Sequence, residues 1–103
     1  MKTIRRRKDV FIDVDGTLLL KDSRGWSVLN VVLVEWMRKA IDDGFTLYLW
    51  SARGGDYARE VAERYKVDHM FKAILPKPSY VVDDMGFMWT KYIEIINVAD
   101  INK

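Results

Sequence analysis

A chain of 103 residues and 12.1 kDa has room for one small domain, because a second core would be too small to hold itself together. With no cysteine and a single histidine, His69, it can build no disulfide framework, thiolate zinc site, cysteine nucleophile or histidine metal cluster, so its chemistry falls to Asp, Glu, Lys, Arg, Ser or Thr. The net charge of +2 resolves into a basic tail over residues 1–8 (Lys2, Arg5, Arg6, Arg7, Lys8) and a body over 9–103 with 12 basic against 15 acidic side chains.

In chain order, Val10-Phe11-Ile12 is a continuous apolar run of the kind a central parallel strand needs, and it ends abruptly in Asp13-Val14-Asp15-Gly16-Thr17. From Val28 the apolar positions recur at helical spacing through Val32, Leu33, Trp36, Ala40 and Ile41, with Gly44 placed as the cap, which predicts a helix of about four turns. Residues 45–50 predict a second strand stopping at Ser51. Tyr57, Ala58, Val61, Ala62 and Tyr65 form the apolar side of a second helix. Residues 71–75 predict a third strand closed by Pro76-Lys77-Pro78, residues 80–82 a fourth ending at Asp83-Asp84, and residues 92–98 a fifth. Alternation of strand and helix is the mark of right-handed crossovers, so the expected fold is α/β: a three-layer α/β/α, Rossmann-like parallel sheet with helices on both faces, in a single domain. No run of about 18 apolar residues occurs, because Asn30 and Glu35 interrupt the longest, and the start lacks the apolar segment of a signal peptide; the expectation is a cytoplasmic protein with no membrane partner.

Ligands of open α/β sheets collect beyond the carboxyl ends of the strands. Here Asp13, Ser51, Lys77 and Asp83-Asp84 all fall at expected strand ends. Singly, each has an ordinary explanation as a turn or a helix cap. Jointly, three acids gathered at one edge repel unless a cation lies between them. Carboxylate oxygens suit Mg²⁺, which shares its remaining positions with water and phosphate.

These motifs, in this order, resemble the haloacid dehalogenase superfamily of phosphohydrolases from Val10 to about Trp89. Arg24, eleven positions after Asp13, with Ser51-x-Arg53 and the doubled acid, looks most like the phosphatase domain of phage-type polynucleotide kinase–phosphatases. The resemblance implies that Asp13 is the nucleophile and Asp15 the general acid and base. It implies a Mg²⁺ site drawn from Asp13, the Asp15 carbonyl and Asp84, with Asp83 exchangeable with Asp84 or acting through water. It further implies phosphate contacts from Thr17, Arg24, Ser51, Arg53 and Lys77.

Larger members of the superfamily insert a cap after the first motif or between the second and third. Here residues 18–27 and 52–76 leave no room for one. An open site suits a nucleotide or nucleic-acid phosphate end, toward which the basic tail and the Arg24 and Trp26 flap lean. It equally suits a small phosphorylated molecule, such as a sugar phosphate, covered by a neighbouring copy in a homo-oligomer. Two rivals stand beside this reading. A phospho-receiver domain has the opposite motif order, and a phosphatase-like scaffold would bind nucleic acid or a partner without turnover.

Overall fold

The computed structural model describes residues 8–103, so the tail residues Lys2, Arg5, Arg6 and Arg7 lie outside the described residues. Three parallel strands form the sheet: β1 (Asp9–Asp13), β4 (Thr46–Ser51) and β5 (Ala73–Pro76), in the order β1-β4-β5. Between β1 and β4 the chain first makes an antiparallel hairpin of β2 (Leu19–Lys21) and β3 (Ser27–Leu29), then α1 (Val31–Asp42). A second helix, α2 (Gly55–Arg64), joins β4 to β5.

Register assigns the faces. Val10 pairs with Leu47 and Ile12 with Leu49, and these inward residues form one core with Leu33, Val34, Met37 and Ala40 of α1 and Ala58, Val61 and Ala62 of α2. Both crossovers step the same way across the sheet, and right-handed connections that do so put their helices on one face. The opposite register pairs Phe11 with Tyr48 and Asp13 with Trp50, where Phe11 stacks on Tyr48 at 4.6 Å and meets Trp50 at 4.8 Å between ring centroids.

The expected layering changes accordingly. The described residues hold a mixed α/β domain whose parallel sheet has three strands, with both crossover helices on one face rather than divided between two. Residues 80–82 form no strand: the ladder stops at Pro76, and Tyr80 and Val82 are fully exposed. Nor do residues 92–98. A 3₁₀ helix over Gly86–Tyr92 precedes an irregular stretch, and the Asn97 side chain, accepting from the Ala99 N–H, caps the short helix α3 (Val98–Ile101). The helix expected from Val28 begins instead at Val31, because Val28 and Leu29 pair with Leu20 and Leu19 in the hairpin and Asn30 accepts from the Leu33 N–H as the N-cap. An open groove of about 1230 Å³ runs along β1 and is lined by Phe11, Trp36, Trp50, Trp89, Tyr92 and Ile95 among others. No helix among the described residues is long and apolar enough to cross a membrane.

Candidate active site

β1 ends with Asp13, and the segment after it is held by its own backbone. The N–H groups of Thr17 and Leu19 donate to the Val14 carbonyl and that of Leu18 to the Asp13 carbonyl, while Val14 and Leu18 are wholly buried. Alternation then sends Asp13 and Asp15 outward as Val14 goes into the core. Gly16 makes the turn at φ +83°, a left-handed conformation that costs a residue with a Cβ about 1–2 kcal/mol.

β4 delivers Ser51 to the same edge. The Ser51 side chain is buried, its oxygen accepts from the Arg53 N–H at 3.0 Å, and its own O–H remains available as a donor. The Ser51 carbonyl accepts from the Gly54 N–H at 3.0 Å and from the Lys77 N–H at 2.8 Å, which seats the residue after β5 beside the end of β4. Gly55 opens α2 so close to β5 that a Cβ there would meet Pro76 Cδ at 3.3 Å, which accounts for the absence of a side chain.

The charged groups converge in two pairs. Lys77 Nζ lies 3.2 Å from Asp13 Oδ1, and Arg53 lies 3.7 Å from Asp15 Oδ1. Tyr57, on the first turn of α2, donates its hydroxyl to the same Asp15 oxygen at 2.7 Å, and the Arg53 guanidinium lies 3.9 Å over its ring. Burial pushes the Tyr57 hydroxyl above its ordinary pKa, and the hydrogen bond to Asp15, with that residue's negative charge, raises it further. Asp13, Ser51 and Lys77, expected from strand ends, and Asp15 and Arg53, expected from the resemblance, are therefore brought to one edge. Thr17 sits in the adjoining turn, its carbonyl accepting from the Asn30 side chain at 3.0 Å.

Arg24, Asp83 and Asp84 are not joined to this group. Arg24 lies at the tip of the β2–β3 hairpin, where its guanidinium stacks 5.0 Å from the Trp26 ring and reaches Asp22 at 3.4 Å. Asp83 and Asp84 lie on an exposed turn, and the Asp83 carboxylate accepts from the Met85 N–H at 2.7 Å. No cluster of three or more metal-ligating side chains forms among the described residues. The donor chemistry at the strand edge still fits Mg²⁺, which takes one or two carboxylates and completes its shell with water and substrate phosphate.

Two residues of this region carry no mark in the sequence patterns above. Tyr57 reads there as one more member of an apolar helix face, and Asn30 as a polar break in an apolar run. The one available signal for Asn30 is an Asn immediately before a helical periodicity.

The hairpin tip supplies a prediction of its own. Asp22 accepts from the Trp26 N–H and the Arg24 N–H, both at 2.9 Å, around a turn completed by Gly25 at φ +81°. The Trp26 hydrogen bond holds the Asp22 carboxyl below its ordinary value; burial opposes it, and the weaker hydrogen bonds from Arg24 add to the lowering. A lowered folded value means that the cap stabilises the hairpin above the ordinary Asp range, about 3.9, and that this contribution is lost as pH falls through the folded value. An acid titration of the Arg24 and Trp26 amide NMR shifts should have its midpoint below about 3.9; a midpoint at or above that value contradicts the cap.

No family model matches the chain, and neither a curated protein nor a solved structure does.

Proposed function

We propose that this chain is a Mg²⁺-dependent phosphomonoester hydrolase of the haloacid dehalogenase kind, working through an aspartyl-phosphate. The observation that carries the reading is the pairing at the strand edge: the Asp13 carboxylate beside Lys77, with Asp15 two residues on and the Ser51 hydroxyl at the end of the neighbouring strand. A phosphoryl group needs such a set, a nucleophile with donors and cations to offset charge on its oxygens.

In the first step an Asp13 carboxylate oxygen bonds to phosphorus as the ester P–O bond breaks, and Asp15 gives its proton to the departing oxygen. In the second, Asp15 takes a proton from water, whose oxygen bonds to phosphorus and releases phosphate, restoring Asp13. Ser51 donates to a phosphoryl oxygen, while Lys77 offsets the charge shared by the phosphate and Asp13. Arg53 and the amides of Gly54 and Gly55, at the N-terminus of α2, suit the remaining oxygens. Mg²⁺ would be held by the Asp13 carboxylate and the Asp15 carbonyl, joined by Asp84 or Asp83 only if that segment came to the end of β1, and would supply positive charge against the phosphoryl group.

A fourth strand in the sheet belongs to the same proposal. The edge of β1 that no described strand pairs and the exposed, β-branched Val81 and Val82 are complementary, and pairing them would carry Asp83 and Asp84 to the end of β1.

For substrate, we favour a nucleotide or a nucleic-acid phosphate end. Trp26 is 66% exposed at the hairpin tip with Arg24 stacked against it, a surface suited to a base and its phosphate. Phosphate release in Mg²⁺ should be fastest from 3′-phosphorylated oligonucleotides or nucleoside monophosphates and slower from sugar phosphates. A sugar-phosphate preference rejects the substrate, and no release from any of the three rejects the hydrolase in favour of a binding module.

A further inference from the structure

Tyr57 and Arg53 address the same oxygen of Asp15. The Tyr57 hydroxyl donates to Oδ1 at 2.7 Å, and the Arg53 guanidinium stands 3.7 Å from that atom with its carbon 3.9 Å from the centre of the Tyr57 ring. No other side chain among the described residues bonds to Asp15, so none of them donates to Oδ2. The two contacts differ in worth. The ion pair joins side chains that are about half exposed or more, where such pairs contribute little, whereas the phenol hydrogen bond is short, charge-assisted and comes from a ring anchored on a helix. A lone aspartate in an exposed turn would sample several rotamers. One oxygen fixed from behind limits it to orientations in which the other faces outward.

We infer that Tyr57 is the positioning residue for Asp15: its hydroxyl occupies Oδ1 so that Oδ2 carries the proton exchanged with the leaving oxygen and then with water. The inference rests on the hydrolase reading and deepens it. Arg53 connects the two tasks, since a phosphate drawing the guanidinium forward leaves Tyr57 as the donor still holding Asp15. The phenol neither bonds to phosphorus nor transfers the proton. In the first step its effect grows with how poor the leaving group is, and in the second, the attack of water on the shared aspartyl-phosphate, it is the same for every substrate.

The variant Tyr57→Phe isolates the hydroxyl, because the phenyl ring keeps its place on α2 and its face toward Arg53. Two substrates read out the role: an alkyl phosphate, whose alkoxide must be protonated as it leaves, and p-nitrophenyl phosphate, whose phenolate leaves without help. For Tyr57→Phe we expect kcat/KM, which reports the first step alone, to fall about 10- to 100-fold on the alkyl ester and less than about 3-fold on the aryl ester. Asp15→Asn should show the same leaving-group pattern more steeply. Equal losses of kcat/KM on the two esters, or none on either, would overturn the assignment while leaving the hydrolase intact, provided the wild-type chain releases phosphate. If the wild-type chain hydrolyses neither ester, the hydrolase reading and this inference fall together. A circular-dichroism melt of Tyr57→Phe close to wild type confirms that the fold is not the quantity being measured.

Discussion

Asp13→Asn should abolish phosphate release while leaving the fold in place. The variant retains the size and one carbonyl oxygen of the side chain but loses the anionic oxygen that would bond to phosphorus, and removing a covalent nucleophile lowers kcat by at least about 10⁴-fold. Folding is protected because the structural role of Asp13 is small. Its partner Lys77 and its own side chain are each about a third exposed, and an ion pair so open to water contributes about 0–1 kcal/mol. The backbone of Asp13, which pairs in the ladder with Trp50 and accepts from Leu18, is untouched by the change. Removing one phosphate donor is a milder lesion: Ser51→Ala should cost about 10²- to 10³-fold. The two kinds of loss are separated by phosphate-release assays on variants with matched melting curves. Undiminished turnover in Asp13→Asn would end the proposed mechanism, because no other carboxylate at this edge both lies beside Lys77 and terminates a strand.

The rank order of these effects is more informative than either alone. If the site only bound phosphate, Lys77 and Ser51 would outweigh Asp13, because replacing an anion with a neutral amide removes repulsion from a dianionic ligand. A hydrolase reverses that order. Equilibrium binding of inorganic phosphate, measured beside turnover, tests this directly: Asp13→Asn should bind phosphate at least as well as wild type while turning nothing over.

How much of this was legible in the sequence depended on the range of the interactions involved. β1, β4, β5, α1 and α2 announced themselves, because a buried parallel strand is a continuous apolar run and a half-buried helix repeats its apolar positions every three to four residues. The β2–β3 hairpin did not, since strands of three residues are too short to display an alternation, although Asp22-Ser23-Arg24-Gly25 carries the residues of a turn closed by a left-handed glycine. Residues 80–82 and 92–98 are mostly apolar without a helical period, and such runs read as strand by composition alone. A strand, however, needs a neighbour, and pairing is a non-local event that composition does not record.

The site divides along the same line. Asp13, Ser51 and Lys77 were readable because parallel strands must deliver their carboxyl ends to one edge. Tyr57 was hidden because its ring and its hydroxyl obey different rules: the ring follows the apolar face of α2, and the hydroxyl finds Asp15 across 42 positions of sequence. Asn30 was hidden for a related reason, as every one of its long-range partners lies outside the window in which a helix start is recognised.

Asn30→Ala should be the most damaging single substitution of a polar residue for stability. The side chain is only 2% exposed and serves three segments at once. Its Oδ1 accepts from the Leu33 N–H at 3.1 Å as the cap of α1, its Nδ2 donates to the Thr17 carbonyl at 3.0 Å, and the same amide exchanges a pair of 2.9 Å hydrogen bonds with the amide of Asn102. Loss of the cap alone costs about 1 kcal/mol. Leaving partly buried partners unsatisfied adds about 1–3 kcal/mol, for a total of about 2–4 kcal/mol, against a stability for a domain of this size of about 5–15 kcal/mol. Asn30→Ser separates the contributions. Serine is as good a cap but too short to span to Thr17 and Asn102 together, so it should recover about 1 kcal/mol of the loss and no more. Because Thr17 closes the turn that carries Asp13 and Asp15, the serine variant should also lose activity at temperatures where it remains folded. Urea unfolding of the three proteins decides the matter: a cost below about 0.5 kcal/mol for Asn30→Ala, the level of an ordinary surface substitution, would mean that the amide does not tie the catalytic turn to the helix and the C-terminal segment.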